Sequence, residues 1–129
     1  TCMLLGFNDR ARGYLLDALH QAESERSVLG KLQVIERMAE AHSTGSEWDE
    51  AVMRLSQAID LAEQVGDRTR RARLLTELGR VQRIQGNIEE GRKRLDAAVR
   101  VARSIGWWDG LKRAEREIEA LKFAVPQPL

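Results

Sequence analysis

Three segments of this chain carry one pattern at a spacing of forty residues: Ala11-x3-Leu15-x2-Ala18-x3-Ala22, Ala51-x3-Leu55-x2-Ala58-x3-Ala62 and Gly91-x3-Leu95-x2-Ala98-x3-Ala102. Each of these twelve positions holds Leu, Ala or Gly. Offsets of four, seven and eleven fall on one face of an α-helix, and small residues on such a face let a second helix come close. The pattern therefore specifies a helical hairpin repeated along the chain. A single hairpin leaves its apolar stripe exposed, and stacking the next copy covers it, so the copies stabilise one another. The expected fold class is all-α.

Turn residues between the copies mark the helix boundaries. The first helix is expected over 8–24, with Ala11, Leu15, Ala18, Leu19 and Ala22 on one face. The second covers 27–43, turns Leu32, Ile35, Met38, Ala39 and His42 inward, and ends at Thr44-Gly45. Ser46 is expected to cap the third, whose stripe is Trp48, Val52, Leu55, Ala58, Ile59, Ala62 and Val65, closed by Gly66. Asp67 caps the fourth, which buries Ala72, Leu75, Leu78 and Gly79 and stops at Gly86. Asn87, with Glu90 three residues on, caps the fifth, whose stripe runs from Ile88 through Gly91, Leu95, Ala98, Val99 and Ala102 to Ile105, before Gly106. The sixth, over 107–122, has a thin stripe of Leu111, Ala114, Ile118 and Leu121, as expected of a helix that ends an array.

In the same register Leu5-Gly6 falls where Gln85-Gly86 sits. Residues 1–5 then read as the last turn of a helix that begins earlier, which makes the chain a fragment of a longer array with an apolar N-terminal end open to self-association. The repeat domain is expected over 1–122. Residues 123–129, with Pro126 and Pro128, read as a tail.

Composition removes several function classes. The formal net charge is +1, so the chain as a whole has no pull toward nucleic acid or anionic membrane. Cys2 is the only cysteine, which rules out an intrachain disulfide and suits a reducing, cytoplasmic setting. No apolar run approaches the ~18–20 residues a membrane span needs. His20 and His42 lie twenty-two residues apart with no second His or Cys at ligand spacing, so no metal site is expected. His42 stands on the packed side of its helix and reads as a satisfied core histidine. Gly30-Lys31 lacks the upstream glycine of a phosphate loop, and Cys2 has no adjacent base. The expectation is no catalytic residue, no cofactor and no enzyme.

Leu78-Gly79 in the first helix of a pair, and Gly86-Asn87-Ile88-Glu89-Glu90 before the second, resemble the tetratricopeptide repeat. That repeat's usual length is about thirty-four residues. A period of forty resembles the longer-helix subclass found in kinesin light chains, spindle-orienting adaptors and the sensor arms of bacterial signalling ATPases. This chain departs from the pattern at Met38-Ala39 for Leu-Gly, at His42 and Gln82 for the usual aromatic, and at Gly91 for the alanine opening a second helix. The resemblance implies a right-handed α-solenoid of about three stacked hairpins, six helices in all, with a C-terminal capping helix. It also implies a non-enzymatic protein–protein interaction scaffold, the sensor or docking arm of a larger protein.

In the family the first helix of each pair lines a groove. Carried over, the groove positions are Arg73, Thr76, Arg80 and Arg83 on the fourth helix, Gln33, Glu36, Glu40 and Ser43 on the second, and Arg113, Arg116 and Ala120 on the sixth. Charge is uneven around them: residues 67–85 hold six Arg against two acids, and residues 46–65 hold one Arg against five acids. Guanidinium forks bind carboxylate and phosphate bidentately, so the arginines point to an acidic protein or peptide partner. The plainer reading pairs Glu36 and Glu40 with Arg73 and Arg80. Glu36 and Glu40 occupy positions of the family's carboxylate clamp, which argues against binding of chaperone tails. The alternative function is a helical-repeat nucleic-acid binder using the same arginines on phosphates. The adjacent Trp107 and Trp108 cannot both face a core, since consecutive helical residues differ by about 100°.

Overall fold

The computed structural model describes residues 9–123, in which six helices follow one another: α1 (Asp9–Ser24), α2 (Val28–Thr44), α3 (Trp48–Val65), α4 (Arg68–Ile84), α5 (Ile88–Ser104) and α6 (Trp108–Leu121). No strand occurs among the described residues. The expectations for residues 1–5 and for most of the tail lie outside them. No helix in this range is long and apolar enough to cross a membrane.

The forty-residue register is visible in where helices begin. The helices α2, α4 and α6 start at 28, 68 and 108, and α3 and α5 start at 48 and 88. The turns repeat at half that interval. Left-handed backbone occurs at Arg26, Ser46, Gly66, Gly86 and Gly106, one every twenty residues. Around four of them the preceding helix closes in the same way. The amide of the next residue reaches back five positions: Ser27 to the Ala22 carbonyl (3.0 Å), Glu47 to His42 (2.8 Å), Asn87 to Gln82 (2.8 Å) and Trp107 to Ala102 (2.9 Å). These bonds satisfy helix-end carbonyls that would otherwise lack a partner. The residue donating them also starts the following helix, which leaves no spare residue in the connection.

Two expectations at these turns are corrected. Helix α2 ends at Thr44 with Gly45 as its C-cap, as expected, but Ser46 does not cap α3: at φ 59° it is the left-handed residue that Gly45, with φ −89°, is not. Glu47 therefore occupies the position before α3. Asn87 does precede α5 but makes no side-chain cap bond; its side-chain Nδ2 donates to Gln85 Oε1 at 3.3 Å. The cap expected from Asp67 forms, its Oδ1 accepting from the Arg70 amide (3.0 Å), and a cap that was not expected forms at Ser27, whose Oγ accepts from the Gly30 amide (2.9 Å).

The chain divides after Val65 into two compact units, each with three helices. In the first, α2 packs against both α1 and α3, and the core is Ala22, Leu32, Ile35, Met38, Ala39, Ala51, Leu55, Ala58, Ile59 and Ala62. Val65, expected inward, is 41% exposed as the last residue of its helix. In the second, α5 packs against α4 and α6, and α4 also meets α6. Here Leu75, Leu78, Val81, Leu95, Ala98, Ala102 and Ala114 are buried. The crossing of α4 and α5 is made at two glycines. A methyl added to Gly79 would lie 2.5 Å from Leu95 Cγ and 3.1 Å from the Gly91 carbonyl, and one added to Gly91 would lie 3.1 Å from the Gly79 carbonyl. The first unit carries Ala39 and Ala51 at these register positions, so only the second has lost both methyls.

A candidate arginine-bearing site on α4 and α6

Three of the arginines singled out on α4 and two on α6 lie in the second unit, where the two helices are in contact. Helix α4 is covered on much of its circumference, burying Ala72, Leu74, Leu75, Thr76, Leu78, Gly79, Val81 and Gln82. That coverage decides the fate of Thr76. It shares a helical face with Arg73 and Arg80 by spacing, yet it is 7% exposed and its hydroxyl donates to the Ala72 carbonyl at 3.0 Å. Thr76 is thus placed in the core. Arg73 is exposed, and Arg80 and Arg83 are half-buried.

Arg80 is held by a neighbour in its own helix. Its Nε donates to both Glu77 carboxylate oxygens at 3.1 Å, and its Nη2 also bonds Glu77 Oε1. The charge pattern alone suggests Glu40 for this role, but a carboxylate one turn away on the same helix reaches the guanidinium without ordering a second element. The hydrogen bond to Glu77 raises the Arg80 pKa above its ordinary value, with further Coulombic help from Glu77 and Glu117 against the cost of burial. Arg83 reaches across to α6, where its Nη2 lies 3.2 Å from Glu117 Oε2. This ion pair links residues thirty-four apart in sequence, with side chains only 27% and 21% exposed.

Glu117 and Glu77 are the participants that the sequence reading missed. The signal was present: they are the same residue forty positions apart, and Glu77 stands three before Arg80. On α6, Arg113 and Arg116 are exposed, and no carboxylate lies within ion-pair distance of either among the described residues. Glu36 and Glu40 are on α2 in the first unit, half-buried and exposed respectively.

Of the remaining candidates, His42 and Trp107 are packed and Trp108 is not. His42 is buried, and its Nδ1 lies 3.0 Å from Glu47 Oε1, the satisfied histidine expected at that position. The ring of Trp107 lies over Gly110, where any Cβ would overlap it, and Trp108 is 59% exposed. No group of three or more metal-ligating side chains occurs among the described residues.

No curated protein matches this sequence. The family model of the tetratricopeptide repeat matches residues 31–104, from the first turn of α2 to the end of α5. That span exceeds half of the 129 residues, and with helices recurring in one register throughout it, the chain belongs to the tetratricopeptide repeat family.

Proposed function

We propose that this chain is a non-enzymatic protein-interaction module, the docking or sensor arm of a larger cytoplasmic protein, and that it engages acidic segments of its partner through the arginines of α4 and α6. Tetratricopeptide repeats generally mediate protein–protein interaction. The forty-residue spacing of helix starts supports the longer-helix branch of the family. The observation that carries the acidic preference is the imbalance on the α4–α6 face. Arg80 and Arg83 are matched by Glu77 and Glu117, whereas Arg113 and Arg116, on the helix that carries Glu117, are exposed with no carboxylate within ion-pair distance among the described residues. The same register on α2 carries Glu36 and Glu40, so an acidic segment is assigned to the second unit.

The test is binding of a labelled oligoglutamate peptide, followed by fluorescence anisotropy. Hydrogen bonds to a charged group contribute about 1.5–3 kcal/mol each. An Arg113→Ala/Arg116→Ala variant is therefore expected to bind at least tenfold more weakly while melting at the wild-type temperature, since exposed substitutions usually change stability by no more than about 0.5 kcal/mol. Equal binding by the variant and the wild type would remove these arginines from the proposal.

A further inference from the structure

We infer that Glu117 is a specificity-determining residue of this surface: by occupying Arg83 as an internal carboxylate ligand, it restricts binding to segments with two or more acidic groups close together. The inference rests on the acidic-segment reading above and goes beyond it. Arg83 already holds a carboxylate, that of Glu117, at 3.2 Å and largely shielded from solvent. An incoming segment whose one acidic group seats on Arg83 only exchanges one carboxylate for another, which yields little net free energy, and one that seats on Arg113 or Arg116 gains a single solvent-exposed pair. A segment with clustered acids displaces Glu117 and also reaches Arg113 and Arg116, which stand four residues and one residue before Glu117 on the same helix. Arg80 does not compete for the ligand, because Glu77 binds it through both oxygens. Once displaced, Glu117 finds Arg113 four residues N-terminal to it, which is the weaker order for such a helical pair. Arg80, Arg83, Arg113 and Arg116 are four cations against the two carboxylates of Glu77 and Glu117, a difference that about two added negative charges would match.

The experiment compares wild type with Glu117→Gln, which keeps the side chain's size and removes its charge. Helix α6 is anchored by buried Gly110, Ala114 and Leu121, so the variant is expected to fold, and Glu117→Met serves as a second neutral variant. Two labelled peptides are the probes: oligoglutamate, and a glutamine–serine peptide with a single glutamate. Glu117→Gln should strengthen binding of the single-glutamate peptide at least tenfold and narrow the gap between the probes, and adding Arg83→Ala should abolish that gain. Should wild type bind neither probe but Glu117→Gln bind them, the blocking role of Glu117 stands. An unchanged ratio between the probes, with oligoglutamate binding intact, overturns the inference and leaves the acidic-segment reading in place. Absence of binding by both proteins overturns both. Tighter binding of a random single-stranded oligonucleotide than of either peptide, strengthened by Glu117→Gln, assigns the face to nucleic acid and overturns the inference as well.

Discussion

Replacing Gly79 with alanine sets two opposing effects of known size against each other. In an exposed helix the change is favourable by about 1 kcal/mol, because glycine is the poorer helix former. At this crossing the new methyl would sit 2.5 Å from Leu95 Cγ and 2.7 Å from its Cδ2, where carbon atoms normally rest about 3.5–4.0 Å apart. Leu95 is fully buried and cannot swing into solvent. It must leave its rotamer or push α5 away, and overpacking of this kind costs about 1–3 kcal/mol. The balance is a net loss of about 1 kcal/mol in the wild-type background. In a Leu95→Ala background the two Leu95 contacts are gone and only the milder 3.1 Å approach to the Gly91 carbonyl remains, so the same substitution should then stabilise by up to about 1 kcal/mol. Leu95→Ala itself should cost about 2–5 kcal/mol. The assay is urea unfolding of the four proteins of this cycle, followed by far-ultraviolet circular dichroism. A coupling energy of roughly 2 kcal/mol is expected, and additivity within about 0.5 kcal/mol would refute the packing argument. Gly91→Ala is the internal control. Its methyl meets a carbonyl at 3.1 Å, a milder contact, so it should fall within about 1 kcal/mol of wild type.

Three further outcomes follow from other parts of the molecule. Ser46→Gly and Arg26→Gly relieve left-handed strain of about 1–2 kcal/mol, set against glycine's greater unfolded-state entropy, and each should raise the thermal midpoint, whereas Gly86→Ala should lower it. Glu47→Ala strips a hydrogen-bond partner from the buried His42 and should cost about 1–3 kcal/mol in the same unfolding assay. Trp108→Ala, at an exposed site, should change stability by no more than about 0.5 kcal/mol, in contrast to Leu78→Ala in the core at about 2–5 kcal/mol.

Helix number and order, and much of each stripe, were legible because the apolar pattern is periodic and positions such as Leu55 and Leu95, or Ala58 and Ala98, are buried alike forty residues apart. Leu15, Leu55 and Leu95 define the helix phase before any contact is known. The turns were half legible. Gly66, Gly86 and Gly106 announce a left-handed residue by type, but Ser46 is a strong helix-cap residue and beside Gly45 it invites the wrong assignment. Arg26 carries no local signal at all. Stepping back twenty and then forty residues from Gly66 locates Ser46 and Arg26, so the information was in the spacing rather than in residue type. The candidate site was less readable. Spacing alone places Thr76 with the arginines, and only the packing around α4 puts it in the core. Partners were misjudged for a similar reason: Arg83 and Glu117 meet because α4 touches α6, a contact that a charge count within one segment does not reveal.

The even spacing of the left-handed turns also limits how a gene for such a chain can change. A one-codon insertion between Gly91 and Leu95 would rotate the rest of α5 by about 100° and advance it by about 1.5 Å. Leu95 would leave the Gly79 crossing, and Ala98 and Ala102 would turn out of the core with it. No slack residue exists to absorb the error, because the amide that closes one helix belongs to the residue that starts the next, as at Glu47 and Asn87. Duplication of forty codons, by contrast, returns every side chain to a neighbour of the kind it already has. Length variation in such a lineage is therefore quantised: small insertions and deletions within helices are purged, and whole hairpins are gained or lost.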